Sequence, residues 1–171
     1  MDAAPAEPLL GVTAGASEQD GRDALRETCL ALASQARRTL DIVSRHLDPA
    51  LYDNEPFAEA VKRLALGHRA ARIRLFILDP RPLVGQGHRL IELAQRLSSF
   101  IDIRIPARQH REFNEAWLSA DHTGYAHRQF SDRYAAEVDF NGRRRAAALA
   151  ERLDEMWERG QRDANLRRLH L

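Results

Sequence analysis

The sequence predicts an α/β fold: a mixed, mainly parallel central sheet flanked by helices. Three observations predict it. Helical apolar spacing recurs in separate stretches, with short strand-like runs between them. "RIRLFILD" (72–79) begins by alternating and becomes continuously apolar, the pattern of a central strand covered on both faces. "IDIRIP" (101–106) alternates strictly. Strands separated by helical crossovers imply parallel neighbours with helices on the sheet faces.

Each element has its own signal. Between residues 20 and 38, Leu25, Cys29, Leu32, Ala33 and Ala36 share one helical face. "LDIVSRHL" (40–47) follows as a short strand. "DPALYDNEPF" is a loop feeding a second helix, which Asp53 or Asn54 can cap and whose first turn suits Pro56. Phe57, Ala60, Val61, Leu64 and Ala65 form its buried stripe, and Gly67 ends it. After the strand at 72–79, the loop "PRPLVGQG" leads to a third helix, "HRLIELAQRLSSF", with Leu90, Ile91, Ala94 and Leu97 inward. The strand at 101–106 turns Ile101, Ile103 and Ile105 to one side. "REFNEAWLSADHTGYAHR" (111–128) has the outline of a strand, a tight turn and a return strand, an antiparallel hairpin over 115–128. "AEVDF" (136–140) is a further short edge strand. From Gly142 to Arg159, Ala146, Leu149, Ala150, Leu153, Met156 and Trp157 repeat at three and four, giving a final amphipathic helix.

Composition narrows the function classes. The length of 171 residues suits one domain. Residues 1–18, rich in Ala, Pro and Gly, read as a disordered tail before a domain at 19–171. No apolar run approaches the roughly 18 residues of a membrane span, and no secretory signal pattern opens the chain. A single cysteine, Cys29, excludes an intrachain disulfide and a cysteine zinc site; the default compartment is the cytoplasm. The 26 basic residues include one lysine, Lys62. Codon bias in a GC-rich genome explains that preference, and so does phosphate or carboxylate recognition by planar guanidinium groups. The 25 acids offset the bases, so nucleic acid is an unlikely partner on overall charge. The segment 143–171 nevertheless holds eight Arg against five acids.

Taken together, "LDIVSRHLDPALYDNEPFAEAVKRLAL", "ARIRLFILDPRPLVGQGHRLIELAQRL", "IDIRIP", the hairpin and "ERLDEMWERG" resemble one half of the phospholipase D fold. More narrowly, they resemble an uncharacterised bacterial family of such domains, related to segments found C-terminal to acetyltransferase domains. Active members of the superfamily carry His-x-Lys, four residues, then Asp: a nucleophile, a phosphate clamp and a supporting carboxylate. Placing Asp121 at the Asp position puts Asn114 at the nucleophile and Ala116 at the clamp. Where relatives have small residues after the return strand, this chain has His127 and Arg128. The resemblance therefore implies a non-catalytic domain that binds or regulates, with no cofactor. It also implies a homodimer, because two such halves pack about a two-fold axis, and it points to an acetyltransferase-related or other protein partner.

The expected ligand site gathers at the edge where strand C-termini meet. His46, Asp79 and Arg108 belong there, with His88 in the loop above and Asp121, His127 and Arg128 from the hairpin. Such a set suits an anionic small molecule; His46 and His88 could equally hydrogen-bond loop carbonyls, and Asp79 could cap the next turn. No recurring metal-ligand spacing is present, so no metal is expected. The enzymatic alternative is a divergent phosphoesterase using His127 or His88 with Arg128. A second alternative is nucleic-acid binding through the Arg-rich C-terminal helix.

Overall fold

A computed structural model describes residues 6–167. Seven strands form one sheet: β1 (Ser17–Asp20), β2 (Thr39–Ser44), β3 (Arg72–Ile77), β4 (Ile101–Arg104), β5 (Ala116–Ala120), β6 (Gly124–Arg128) and β7 (Ala135–Asp139). Their order across the sheet is β1-β7-β6-β5-β2-β3-β4. The helices are α1 (Arg22–Gln35), α2 (Pro49–Tyr52), α3 (Glu55–Gly67), α4 (Arg89–Arg96), α5 (Arg143–Arg159) and α6 (Ala164–Arg167). No helix among the described residues is long and apolar enough to cross a membrane.

The fold class is the expected one, a mixed sheet flanked by helices, but the parallel share is smaller. Two of the six neighbouring strand pairs, β2 with β3 and β3 with β4, are parallel. The hairpin enters the middle of the sheet, with β5 antiparallel to β2, and β7 and β1 extend it antiparallel.

Strand alternation sorts side chains onto two faces. One face packs Leu40, Ile42, Ile73, Leu75, Leu118 and Ala126 into a core shared with α1, α3 and α4. The other packs Val43, Phe76, Trp117 and Tyr125 against Ala146, Leu149, Leu153 and Trp157 of α5. Local signals set the helix ends. Asn54 accepts from Phe57 N at 2.9 Å to cap α3, and Asp48 accepts from Ala50 N at 3.0 Å to cap the single turn of α2.

The α5 face also buries charge. Arg74 donates Nε and Nη2 to the two oxygens of Asp41 at 2.8 and 2.9 Å, and Nη1 to Asp154 of α5 at 2.7 Å. His122 Nε2 lies 3.6 Å from Asp41. Burial alone would push the Asp41 carboxyl up, but bonds from Arg74 and His122 hold it below the usual range.

The segment 1–18, expected as a tail, makes contacts from Pro8 onward. Leu10 N donates to Gln35 Oε1 at 2.7 Å, Gln35 Nε2 donates to Pro8 O at 3.0 Å, and Gly11 N donates to Phe140 O at 2.8 Å. Leu10 packs where Gly124 has no side chain: a Cβ there would stand 2.6 Å from Leu10 Cδ1 and 3.0 Å from Leu32 Cδ2. Ser17–Asp20 then pairs along β7. Residues 1–5 lie outside the described residues. The composition hid this docking because one leucine over one glycine leaves no periodic signal, and "SEQD" is a polar edge strand.

Two outcomes follow. Truncating residues 1–11 should lower Tm by roughly 3–8 °C, from one partly buried leucine and its neighbouring hydrogen bonds; an unchanged calorimetric Tm would mean that Leu10 contributes no packing. The second concerns pH. The Asp41 carboxylate holds the His122 imidazolium above its ordinary range. The resulting stability is fully present below the unfolded histidine value of about 6.5 and is lost as pH rises through the higher folded value. His122 is half exposed, so solvent limits the effect to about 0.5 kcal/mol. Urea melts should therefore show the gap between the native protein and His122→Asn, which tolerates the positive φ of this turn, closing between about pH 6 and 8.

Candidate functional site at the hairpin cleft

The parallel strands β2, β3 and β4 end at the same edge of the sheet where β5 begins and β6 ends. At this edge Trp117 faces His127 across the hairpin, with ring centroids 6.1 Å apart. Glu115, just before β5, accepts from His127 Nε2 at 2.8 Å and from Arg152 Nη1 at 3.1 Å. The Arg152 guanidinium, carried by α5, also lies 5.1 Å from the Trp117 ring and 5.4 Å from that of Phe113. Beside this cluster opens a cleft of about 500 Å³, lined among others by Glu18, Glu115, His127, Arg133, Glu137 and Arg145.

The electrostatics fix the protonation pattern. Burial pushes His127 below its ordinary value, with the Glu115 carboxylate pulling the other way. Burial opposes ionisation of Glu115 too, but hydrogen bonds from Arg152 and His127 outweigh it, and the carboxyl stays below the usual range. Near neutral pH, a neutral His127 thus donates its Nε2 proton to a Glu115 carboxylate. In form this is a carboxylate-oriented imidazole, the arrangement used for general bases and nucleophiles. The groups beside it differ from a phosphate-transfer centre. Ala116, at the clamp position, is buried and carries no donor, and the Asn114 side chain accepts from Ser131 Oγ at 2.6 Å.

The other expected site residues are dispersed. Arg128 follows His127 on β6 and so points to the opposite sheet face. There it is buried, donating Nε to Arg133 O at 2.8 Å and Nη2 to Ser131 O at 2.7 Å, with the Tyr134 ring 5.1 Å away. His127 and Arg128 therefore do not converge on one ligand. His88 is buried, its Nδ1 accepting from Leu90 N at 3.1 Å to cap α4 and its Nε2 donating to Leu47 O at 2.9 Å. Burial pushes its pKa down, and both ring nitrogens are occupied. His46 and Asp79 do meet at the expected edge, His46 Nδ1 lying 3.0 Å from Asp79 O. The Asp79 carboxylate is bound by Arg81 Nε and Nη2 at 2.8 and 2.7 Å, bonds that lower its pKa to about 2. Arg108 is exposed in a short 3-10 turn, Arg108–His110.

Asp121 lies at the far edge of the sheet. Its carboxylate accepts the backbone N–H groups of Arg37, Arg38 and Thr39 at 2.9, 2.8 and 2.9 Å. The hairpin carboxylate thus binds backbone and supports the chain where β2 begins. Burial raises the Cys29 thiol to about 12, which keeps it protonated at neutral pH. Among the described residues, no three His, Cys, Asp or Glu side chains stand close enough to hold a metal ion. Glu115, Arg133, Arg145 and Arg152 escaped sequence reasoning because their meeting depends on the placement of α5 and of the 130–134 turn; only the pairing of 117 with 127 follows from hairpin register.

This architecture is similar to solved structures of the phospholipase D family. Nuc from Salmonella typhimurium, described as a phospholipase D family member, is 17% identical with a TM-score of 0.56; the match covers 87% of this chain and 99% of that one. NucT from Helicobacter pylori is 10% identical with a TM-score of 0.60, over 87% of this chain and 99% of that one. TrmBL2, an archaeal chromatin protein with a described mode of DNA binding, is 15% identical with a TM-score of 0.61. That match covers 88% of this chain but only 54% of TrmBL2, so the chain spans about half that protein's length. At these identities the likeness is one of fold, and the fold is phospholipase D-like. No curated protein sequence matches. The profile of a family described as Domain of unknown function (DUF7931) matches residues 21–169, most of the chain, and the chain belongs to that family.

Proposed function

We propose that this chain is a non-catalytic phospholipase D-like domain whose hairpin cleft binds a ligand or a protein partner. The observation that carries the reading is the occupancy of the hairpin. Asn114 and Ala116 stand where the family pattern places the nucleophile and the phosphate clamp, and the Asn114 side chain is engaged with Ser131. Arg133, Arg145 and His127 suit an anionic group at the cleft, with Glu18 and Glu137 setting its orientation. A small anionic metabolite and an acetyltransferase-related protein are the partner classes in view. The purified protein should not hydrolyse bis-p-nitrophenyl phosphate, phosphatidylcholine or single-stranded DNA above a blank.

One observation favours a second reading, a divergent phosphoesterase. The Glu115–His127 pair has the geometry of an oriented base, beside two arginines in the same cleft. Hydrolysis that disappears in His127→Ala and persists in His88→Ala would replace the first reading with this one.

Self-association belongs to the same proposal. The chain corresponds to one half of the two-fold architecture its resemblance implies, and a homodimer at micromolar concentration is expected, with the hairpin side near the axis. Phe130, 44% exposed at the rim of the cleft, is the apolar group to test. Sedimentation equilibrium should give the mass of two chains, and Phe130→Asp should shift it toward one by placing a charge in a desolvated contact. A single-chain mass for the native protein would reject the dimer; a dimer indifferent to Phe130→Asp would reject this placement of the interface.

A further inference from the structure

The near balance of charge over the whole chain conceals a local imbalance. At the sheet edge opposite the hairpin cleft, a groove of about 410 Å³ runs between the C-terminal ends of α1 and α3. Arg37, Arg38, Arg63 and His68 line it, and no acidic residue among the described ones does. Arg69 flanks it in the chain; Arg72 N donates to Arg38 O at the same edge, but alternation along β3 turns the Arg72 side chain to the α5 face with Arg74. All five arginines are exposed, and among the described residues none of their guanidinium groups has an ion-pair or hydrogen-bond partner. Several arginines elsewhere are matched by a carboxylate: Arg74 with Asp41, Arg81 with Asp79, Arg89 with Asp53 and Arg152 with Glu115. The next groove along α3 is balanced, with Glu55, Glu59 and Glu92 set against Lys62, Arg89 and Arg96.

Helix ends account for part of this placement, since cations are favoured near helix C-termini. The size of that effect decides the matter. Two helix ends supply about half a negative charge each, and Asp121 supplies one more, against the four guanidinium groups of Arg37, Arg38, Arg63 and Arg69. A surplus of about two positive charges is left facing solvent. Asp121 also orders the site: by accepting three successive N–H groups it fixes the backbone that carries Arg37 and Arg38. Guanidinium groups on an ordered backbone lose less entropy on binding, and their planar forks match phosphate oxygens in pairs.

We infer that this groove binds the sugar–phosphate backbone of nucleic acid, through phosphate contacts and without base readout. Four guanidinium groups spread over the ends of α1 and α3 and the start of β2 exceed what one phosphate group requires, and suit a repeating one. Leu66, 60% exposed near the end of α3, is the large apolar side chain at hand, which falls short of the apolar face a membrane-lying helix needs. The site is on the far edge from the hairpin cleft and uses none of its residues, so either reading can fail alone.

Fluorescence anisotropy with labelled single-stranded and duplex oligonucleotides tests the inference. At about 50 mM salt the protein should bind unrelated sequences alike, and log K should fall against log salt with a slope of about −2 to −4, as for three or four phosphate contacts. The triple variant Arg37→Ala, Arg38→Ala, Arg63→Ala should lose about tenfold or more in affinity and flatten the slope by about two. Its melting temperature should match the native one, because all three side chains are exposed. Arg143→Ala with Arg144→Ala, at the start of α5, should bind as the native protein does. Absence of binding at low salt, a triple variant that binds normally, or loss of binding only in the α5 variant would each overturn the inference. So would binding confined to phosphatidylserine vesicles, or saturation by millimolar inorganic phosphate with no response to oligonucleotide.

Discussion

One carboxylate joins the two halves of this sheet. Asp121 sits in the β5–β6 turn and accepts three consecutive backbone N–H groups where the chain enters β2. Charge-assisted bonds of this kind are stronger than those between neutral groups. They set Leu40 opposite Ala120, which is the start of the antiparallel β2–β5 register. Everything on the far side of the sheet hangs on that register: β6 pairs with β5, β7 with β6, and β1 with β7. The turn has a geometry to match, with positive φ at both Asp121 and His122, a region that Asp and His enter more readily than most residues.

The two sheet faces divide the labour between packing and polarity. The face under α1, α3 and α4 is apolar along β2, β3 and the hairpin. The face under α5 mixes Trp117, Phe76 and Trp157 with a buried Asp41–Arg74 pair and the Glu115–His127–Arg152 cluster. Helix α5 is consequently held by apolar contact along its length and by charge at two points, Arg152 and Asp154. Arg74 and Arg104 both lie near the Trp157 ring, at 5.6 and 4.8 Å. An α5 shifted along its axis would lose the Arg74–Asp154 bond, while the bidentate Arg74–Asp41 pair would stay in place.

The longer elements were legible because each carries a periodic signal. The four longest helices and strands β2 to β7 follow the apolar spacing and capping residues, down to Asn54 and Pro56 at α3. Short pieces without a repeating apolar spacing were not legible: β1, α2 and α6 span four residues each. The number of parallel neighbours was misjudged for a related reason, since alternation identifies a strand but not its partner. At the site, chain proximity misled. His127 and Arg128 are neighbours in sequence and belong to opposite faces, while Asp121 lies a sheet-length from His46 and Asp79. The cluster around Glu115 depends on α5 crossing the sheet, a contact between distant segments that no local pattern encodes.

The pairing of Ser17 with Val138 has a consequence for how the molecule is made. Strand β1 is synthesised early, and its partner β7 is synthesised after five intervening strands and several helices. Sheet closure at that edge must await nearly the whole chain, and the β2–β5 pairing also spans a long, though shorter, stretch of chain. Topologies dominated by such distant pairings fold slowly, because loop-closure entropy is lost before contacts repay it. On a ribosome, α1 through β4 can collapse as a local parallel unit, leaving the β2 edge that receives β5 open until the hairpin emerges. During that interval the exposed β2 edge is the place where a nascent chain is most vulnerable to pairing with a neighbour.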